Sequence, residues 1–179
     1  MITTTLNRIR SHTPCAGGWK KLLAHLGKTQ ADDDPLPFAT ILESNGLDDA
    51  LWCCRAEPQY AKEWRLYGVW CARQVQHLMT DPRSLAALDV AEMYANGQAT
   101  DDDLAAAGAA ARDAARDAAW DAAGAAAGAA AWDAAWAAAG AAAWAAAGAA
   151  AGAAAGAAAL AAQTAKFLRV VTETVDATN

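Results

Sequence analysis

Histidine and cysteine side chains lie close together at two places in the sequence, where they could bind a metal ion or perform nucleophilic catalysis. His12 and Cys15 have H-x-x-C spacing, and His25 follows thirteen residues after His12. A structural zinc site needs four ligands and no second pair follows, so the pattern favours a partly exposed His12 and a buried Cys15. Cys71 and His77 are six positions apart and would face away from each other on a helix. We therefore predict no catalytic residue, no metal site and no cofactor.

Two groups of aspartates could supply paired carboxylates for acid–base catalysis. Asp48 and Asp49 lie in the first turn of a predicted helix, where they compensate the helix dipole. Asp113, Asp117 and Asp121 recur every four residues and share one helix face with two arginines. This spacing favours a solvated, salt-bridged face, and we retain these three carboxylates as candidate contacts for a protein partner.

A second candidate surface lies on the longest amphipathic segment of the chain. Trp70, Arg73 and His77 are placed on one side of that predicted helix, away from its main apolar stripe. Tryptophan and arginine are the residue types that anchor protein interfaces. The three side chains are therefore predicted either to form a second buried face or to contact a partner.

Composition and charge restrict the class of partner. The chain has 179 residues and a net charge of −6, with no run of basic residues, so nucleic-acid binding is disfavoured. An acidic surface suits a basic protein partner. The N-terminal segment lacks the apolar core of a signal peptide, and the four cysteines show no C-x-x-C spacing, so we expect reduced thiols and a cytoplasmic location.

The elements that must position these side chains read as a series of helices bounded by capping and breaking residues. Thr13 is predicted as the N-cap of the first helix, Pro37 and Gly46 bound the second, and Thr100 with Asp103 forms a capping box. The predicted helices cover residues 13–27, 37–46, 47–57, 59–79 and 81–97, and the residues 28–37 are predicted to form a polar loop. Three inward faces are predicted, consisting of Leu47, Leu51 and Cys54, then Tyr60, Trp64, Tyr67, Cys71, Val75 and Leu78, and finally Leu85, Leu88, Ala91 and Ala95.

From residue 104 to residue 160 the chain repeats Ala-Ala-Ala-x, with Trp or Gly at many of the x positions. A four-residue step advances about 400° on an α-helix, which is more than one full turn, so the row of x positions winds slowly around the helix axis. Either the helix supercoils right-handedly or it breaks, and we predict breaks at Gly124, Gly128 and the group from Gly148 to Gly156. The small side chains let two helix backbones approach closely, so the segment is interpreted as a packing device. A membrane span is disfavoured because large apolar residues are almost absent.

The C-terminal residues after 165 regain charge. Phe167, Val171 and Val175 are spaced for one or two further helical turns, with a short strand as the alternative that the β-branched residues leave open.

Four local motifs in the chain resemble a family of bacterial and phage proteins described as immunity proteins. They are D-A-L-W at Asp49–Trp52, R-L-x-x-x-x-C-A at Arg65–Ala72, D-x-R-x-x-A at Asp81–Ala86 and Y-A-x-G at Tyr94–Gly97. The resemblance covers about residues 45 to 120 and implies a helical protein that neutralises another protein, such as a toxin or a host defence protein.

We therefore predict an all-α protein in which an N-terminal multi-helix domain (residues 1–100) packs against an Ala/Gly-rich long-helix hairpin or bundle (residues 101–165), followed by an amphipathic segment (residues 166–179). The expected function is non-enzymatic inhibition by binding a protein. A structural protein that forms homo-oligomers through Ala/Gly helix seams is the first alternative, and an enzyme with an unrecognised site is the second.

Overall fold

The structure is a computed structural model that describes residues 1–74, 76–114, 116–117 and 141–173, without the side chains of residues 78 and 141–155. The described residues form eight α-helices and one antiparallel pair of two-residue strands, which confirms the all-α prediction. The first half of the chain contains β1 (Thr3–Thr4), α1 (Leu6–Ser11), α2 (Ala16–His25), β2 (Leu36–Pro37), α3 (Phe38–Asn45) and α4 (Leu47–Cys53). It continues with α5 (Ala61–Arg73), α6 (Pro82–Ala95), α7 (residues 101–114, with 116–117 also helical) and α8 (Ala141–Glu173). Single 3-10 turns cover Cys54–Ala56, Pro58–Tyr60 and Gln76–Leu78.

The chain forms two compact units whose boundaries lie inside helices. One unit contains residues 1–67 together with the segment that begins at Ala162, and the other contains Gly68–Ala161. The second unit is therefore an insertion into the first. The predicted boundaries at residues 100 and 165 follow changes of composition and stay predictions.

The core of the first unit is an aromatic cluster that joins distant parts of the chain. Phe38 and Phe167 are fully buried, with ring centroids 6.4 Å apart. Trp64 stacks on Phe167 at 6.1 Å, and Tyr67 meets Phe167 edge-on at 5.4 Å. The Tyr67 hydroxyl donates to the Gln163 carbonyl at 3.2 Å, which fixes α8 against α5 within this unit.

The C-terminal end of α8 extends this core. Val171 is fully buried, and its carbonyl accepts a hydrogen bond of 2.7 Å from the Ile2 backbone N–H. The predicted final helical turns at Phe167 and Val171 are confirmed, and the strand alternative does not occur there. Val175 lies outside the described residues.

Two elements near the N-terminus were missed because they are very short. β1 pairs with β2 in the register Thr3 with Pro37 and Thr4 with Leu36, so β2 lies at the end of the predicted polar loop, and β1 lies where no element was predicted. The six-residue helix α1 ends at Ser11, and Thr13 takes a left-handed φ of 57° immediately after it. The predicted N-cap at Thr13 is therefore wrong, because this residue closes α1. Cys15 is the N-cap of α2 instead.

Several predicted helix ends are confirmed, because capping depends on local hydrogen bonds. Pro37 and Gly46 bound α3. Asp81 caps α6 by accepting a hydrogen bond from the Arg83 backbone N–H at 2.8 Å, and Gly97 follows α6 with a φ of 72°.

Two predicted helices are shorter than expected. A helix was predicted for residues 59–79, but α5 has only 13 residues. The helix ends because the Gln74 backbone N–H donates to both the Trp70 and the Cys71 carbonyl, and a 3-10 turn follows. Tyr60 consequently lies in a 3-10 turn before α5. The predicted helix 47–57 changes to a 3-10 turn after Cys53.

These changes alter the inward faces. The buried residues of α4 are Leu47, Ala50 and Cys53. Leu47 was predicted correctly, whereas the predicted Leu51 and Cys54 are only partly buried and the residue before each of them is buried instead. In α5 the buried side chains include Tyr67 but also Val69, which the predicted stripe omitted, and Val75 is outside the described residues. In α6 Ala95 is buried as predicted, whereas Leu85 is exposed.

The Ala/Gly repeat forms a longer helix than expected. Helix α8 is continuous for 33 residues, about 50 Å, and it passes through Gly148, Gly152 and Gly156 without a break. The predicted breaks at these glycines are therefore wrong, since the surrounding alanines have the highest helix propensity of any residue. Gly124 and Gly128 lie outside the described residues. None of the helices that the structure describes combines the length and apolar character needed to cross a bilayer.

In the second unit, salt bridges connect consecutive helices. Arg73 of α5 pairs with Asp89 and Glu92 of α6 at 2.9 and 2.6 Å. Arg83 at the start of α6 pairs with Asp117 at 2.7 Å, which connects α6 to the end of the described part of α7. These ion pairs join α5 to α6 and α6 to α7 within the second unit.

Candidate binding cavity

A cavity of about 70 Å³ lies in the first unit, where α2, α3 and α4 meet next to the end of α1. Its apolar walls are formed by Ile9, Pro14, Trp19, Leu22, Ile41 and Trp52, and its polar lining by Cys15, Gly18, Asn45, Asp49 and Cys53. Asp49 is the only charged residue in this lining. The cavity therefore combines large apolar surfaces with a single carboxylate.

A hydrogen-bond network holds this carboxylate in place. The Asn45 side-chain amide donates to the Gly18 carbonyl at 2.8 Å and to Asp49 Oδ2 at 2.7 Å, so it connects α2 with α4. The Ser44 hydroxyl donates to Asn45 Oδ1 at 2.6 Å, which orients the amide. The Asp49 side chain is consequently oriented at the cavity by a single neutral donor, the Asn45 amide.

Gly18 makes this arrangement possible. A Cβ at this position would lie 2.6 Å from Asp49 Oδ2 and 3.1 Å from Cys15 Sγ, so any larger residue would displace the carboxylate. The neighbouring Gly17 has nothing within 4 Å of an added Cβ. Two adjacent glycines in the first turn of a helix are the sequence signal that could have identified this close approach.

Two tryptophans form much of the cavity wall. Trp19 of α2 and Trp52 of α4 are both partly buried. The Arg55 guanidinium lies 4.2 Å from the Trp52 ring centroid, and its Nε donates to the Trp52 carbonyl at 2.9 Å. No binding role was predicted for Trp19, Trp52 or Asn45, because nothing local in the sequence shows that these residues share a cavity.

The four cysteines are all free, but they differ in environment. Burial, and then the nearby Asp49 carboxylate, raises the pKa of Cys53 to about 12. Burial, and then Cys53, raises the pKa of Cys54 to about 12. Cys15 is exposed, so the prediction of a buried Cys15 is wrong, because its position as the N-cap of α2 places its Sγ 3.3 Å from the Gly18 backbone N–H at the surface. His12 is exposed as well.

The first predicted partner surface does not lie on one helix. Trp70 and Arg73 are partly buried on α5, whereas His77 is exposed in the 3-10 turn after α5 has ended. Arg73 is engaged in its two salt bridges with α6. Whether these three residues contact a partner stays a prediction.

The second predicted surface consists of Asp113, Asp117 and Asp121, and the sequence predicted that it is salt-bridged. The structure describes the first two residues, and both form salt bridges. Asp113 pairs with Arg116 at 2.7 Å and Asp117 pairs with Arg83 at the same distance, and both aspartates are exposed. Asp121 lies outside the described residues. The role of these carboxylates in partner binding stays a prediction.

Within the ranges that the structure describes, no three His, Cys, Asp or Glu side chains are grouped so that they could hold a metal ion. No protein-family model, no curated protein and no solved structure matches this chain. The functional interpretation therefore depends on the cavity and on the charge of the molecule.

Proposed function

We propose that this protein is a non-enzymatic inhibitor that binds another protein and covers its active surface, with the Trp-lined cavity of the first unit as the principal contact. The observation that carries the proposal is the pairing of Trp19 and Trp52 around a surface cavity that contains one oriented carboxylate, Asp49. The resemblance to immunity proteins suggests a toxin or a host defence protein as the partner.

Tryptophan dominates the binding energy of many protein interfaces because it buries a large area with little loss of conformational freedom. A cavity beside two tryptophans receives a side chain from the partner and excludes water from the contact. The net charge of −6 favours a basic partner and accelerates its association.

The two buried or partly buried thiols in and beside the cavity, Cys53 and Cys54, support binding more than nucleophilic chemistry. Only the thiolate form of cysteine is a strong nucleophile. The pKa of Cys53 and of Cys54 is raised to about 12, so both thiols are protonated at neutral pH. Cys53 therefore lines the cavity as a neutral thiol, and Cys54 packs beside it outside the lining.

Affinity capture from cells that carry the gene tests the proposal. The tagged full chain is compared with Trp52→Ala, which alters the cavity, and with Trp70→Ala, which alters the surface on α5. We expect a stoichiometric protein partner that the wild type and Trp70→Ala retain and that Trp52→Ala loses by at least about tenfold, as expected for an interface anchor. A partner retained by Trp52→Ala and lost by Trp70→Ala would contradict the cavity assignment, and the absence of any stoichiometric partner would contradict the function.

Self-association is a second candidate function, favoured by one observation. Residues 156–161 of α8 are all exposed, and Leu160 is 51% exposed within this row of small side chains. Small residues permit close approach of two helices. Light scattering after size exclusion tests this alternative: an oligomer that Leu160→Glu converts to a monomer would support it, and a wild-type monomer at tens of micromolar would contradict it.

A further inference from the structure

We propose that the cavity is a lysine-recognition site, in which the aliphatic chain of a lysine from the partner protein enters the cavity and its ammonium group pairs with Asp49. This inference rests on the proposed function and names the residue type that the cavity accepts. It follows from the charge, the lining and the size of the cavity.

The lining of the cavity carries a single charge, that of Asp49. The Asp49 carboxylate is partly buried and accepts one hydrogen bond, from the neutral Asn45 amide. Across the described part of the chain, no Lys, Arg or His nitrogen lies within 4 Å of this carboxylate, whereas the buried Glu57 is paired with Arg8 at 2.6 Å. A carboxylate withdrawn from water without a cation is unfavourable, and an incoming cation would relieve that cost.

The apolar lining suits a long aliphatic chain that ends in a charge. Ile9, Leu22 and Ile41 contribute aliphatic surface, and Trp19 and Trp52 contribute aromatic surface. Lysine buries its methylene chain against apolar groups while it keeps its ammonium at a polar position. Indole rings also attract cations through their electron-rich faces.

The geometry of the carboxylate favours lysine over arginine. A guanidinium binds a carboxylate best through two parallel bonds that need both oxygens. Oδ2 of Asp49 accepts the Asn45 amide at 2.7 Å, and the Gly18 backbone lies so close that an added Cβ would be 2.6 Å from the same oxygen, so a guanidinium has restricted access to both oxygens. A single ammonium acts as a point charge and can bind through the remaining oxygen.

The size of the cavity favours a linear chain over a ring. A volume of about 70 Å³ is several times what one water molecule needs, roughly 10–15 Å³. It is below the roughly 150 Å³ of a cavity that holds benzene. A chain of a few methylene groups therefore fits this volume better than an aromatic ring does.

The test uses the full chain and two pairs of probes. n-Butylammonium is compared with the neutral 1-butanol, and the blocked lysine amide (N-acetyl-lysine methylamide) is compared with its Nε-acetylated form. Binding is measured from the shift of the Asn45 side-chain amide in NMR spectra and from protection of Cys15, which lines the cavity and is exposed, against iodoacetamide. Asp49→Asn removes the charge at the site, and Asp48→Asn removes an exposed neighbouring charge as the matched control.

We expect both ammonium probes to give saturable shifts and to slow Cys15 alkylation, while the two neutral probes do so at least about tenfold more weakly, which corresponds to 1.4 kcal/mol. Asp49→Asn should remove this difference between charged and neutral probes, and Asp48→Asn should keep it. If Asp49→Asn fails to fold, Trp19→Phe provides the second test, because it should weaken ammonium binding while it retains an apolar wall, whereas the Trp52 ring already carries the Arg55 guanidinium.

Equal binding of charged and neutral probes, or unchanged ammonium binding in Asp49→Asn, would overturn the inference. Binding of butylammonium without binding of the blocked lysine would also overturn it, in favour of a free amine. Because the titrations need no partner, they separate the two proposals: ammonium binding without any captured protein contradicts only the proposed function. Capture that depends on Trp52 but persists after acetylation of the partner's lysines contradicts only the lysine assignment.

Discussion

Gly18 shows how one missing side chain organises the cavity. An added methyl group would meet Asp49 Oδ2 at 2.6 Å, and since a carboxylate at the end of a side chain can turn about its single bonds, it would rotate away and lose its bond to Asn45. A lost hydrogen bond costs about 1 kcal/mol, and a glycine-to-alanine change in a helix returns up to about 1 kcal/mol.

We therefore expect Gly18→Ala to be less stable than the matched Gly17→Ala by about 1 kcal/mol, because both changes raise helix propensity in α2 and only Gly18→Ala costs the hydrogen bond of Asp49. Urea unfolding followed by circular dichroism measures both variants. Equal stability of the two would show that the contact between α2 and Asp49 is not maintained in solution.

The cysteines provide a second prediction for individual residues. At pH 8 a thiol with a pKa of about 12 is a thiolate in about one molecule in 10⁴, so Cys53 and Cys54 should react very slowly with Ellman's reagent in the folded protein. The exposed Cys15 should account for the fastest phase, and Cys15→Ser should remove that phase. Early labelling of Cys53 in a mass-spectrometric map would contradict the described burial.

Helix α7 begins with a capping box whose effect depends on pH. The Thr100 backbone N–H, and then its hydroxyl, donate to Asp103 Oδ2 at 2.9 and 2.7 Å and lower the pKa of Asp103 from its ordinary value of 3.8. Since the folded-state pKa is depressed, the carboxylate stabilises the protein at neutral pH. That stabilisation is lost as the pH falls below about 4.

We expect the free energy of unfolding of Asp103→Asn to be lower than that of the wild type at pH 7. The difference should shrink as the pH falls from about 4 towards the lower pKa that Asp103 has in the folded protein. Asp102→Asn is the control, since Asp102 lies in the same turn outside the capping box. Free energies of unfolding across this pH range measure the effect, and a constant difference between wild type and Asp103→Asn would disprove it.

Helix α8 is anchored to the first unit by one aromatic side chain. Phe167 is fully buried against Phe38, Trp64 and Tyr67, whereas the next residue, Leu168, is 41% exposed. Phe167→Ala should lower the free energy of unfolding by about 3–5 kcal/mol because it leaves a cavity. Leu168→Ala should change it by no more than about 0.5 kcal/mol. Similar losses in the two variants, measured by urea unfolding, would contradict this anchoring.

At the scale of the whole molecule, the second unit is an insertion whose two ends return to the same place. The Tyr67 hydroxyl contacts the Gln163 carbonyl at 3.2 Å, so the chain enters and leaves the first unit at neighbouring positions. A flexible linker of about six residues spans such a gap easily.

We therefore expect a protein in which this linker replaces residues 68–161 to fold cooperatively and to keep the cavity. Cooperative urea unfolding and protection of Cys15 by n-butylammonium check the outcome, with Phe167→Ala in the same shortened chain as the destabilised reference. Non-cooperative unfolding of the shortened chain would show that the first unit needs the inserted residues.

The sequence by itself determined the all-α class and many helix ends, such as Pro37 and Gly46 around α3 and the Thr100 capping box, because caps and φ preferences act over three or four residues. Only the tertiary structure decided which distant residues share a core. Glu57 is fully buried because Arg8, 49 residues away, pairs with it, and Phe167 completes a core begun at Phe38. The cavity likewise depends on a contact between Gly18 and Asp49. Such contacts leave no local pattern, since they arise from the packing of elements that are far apart in the chain.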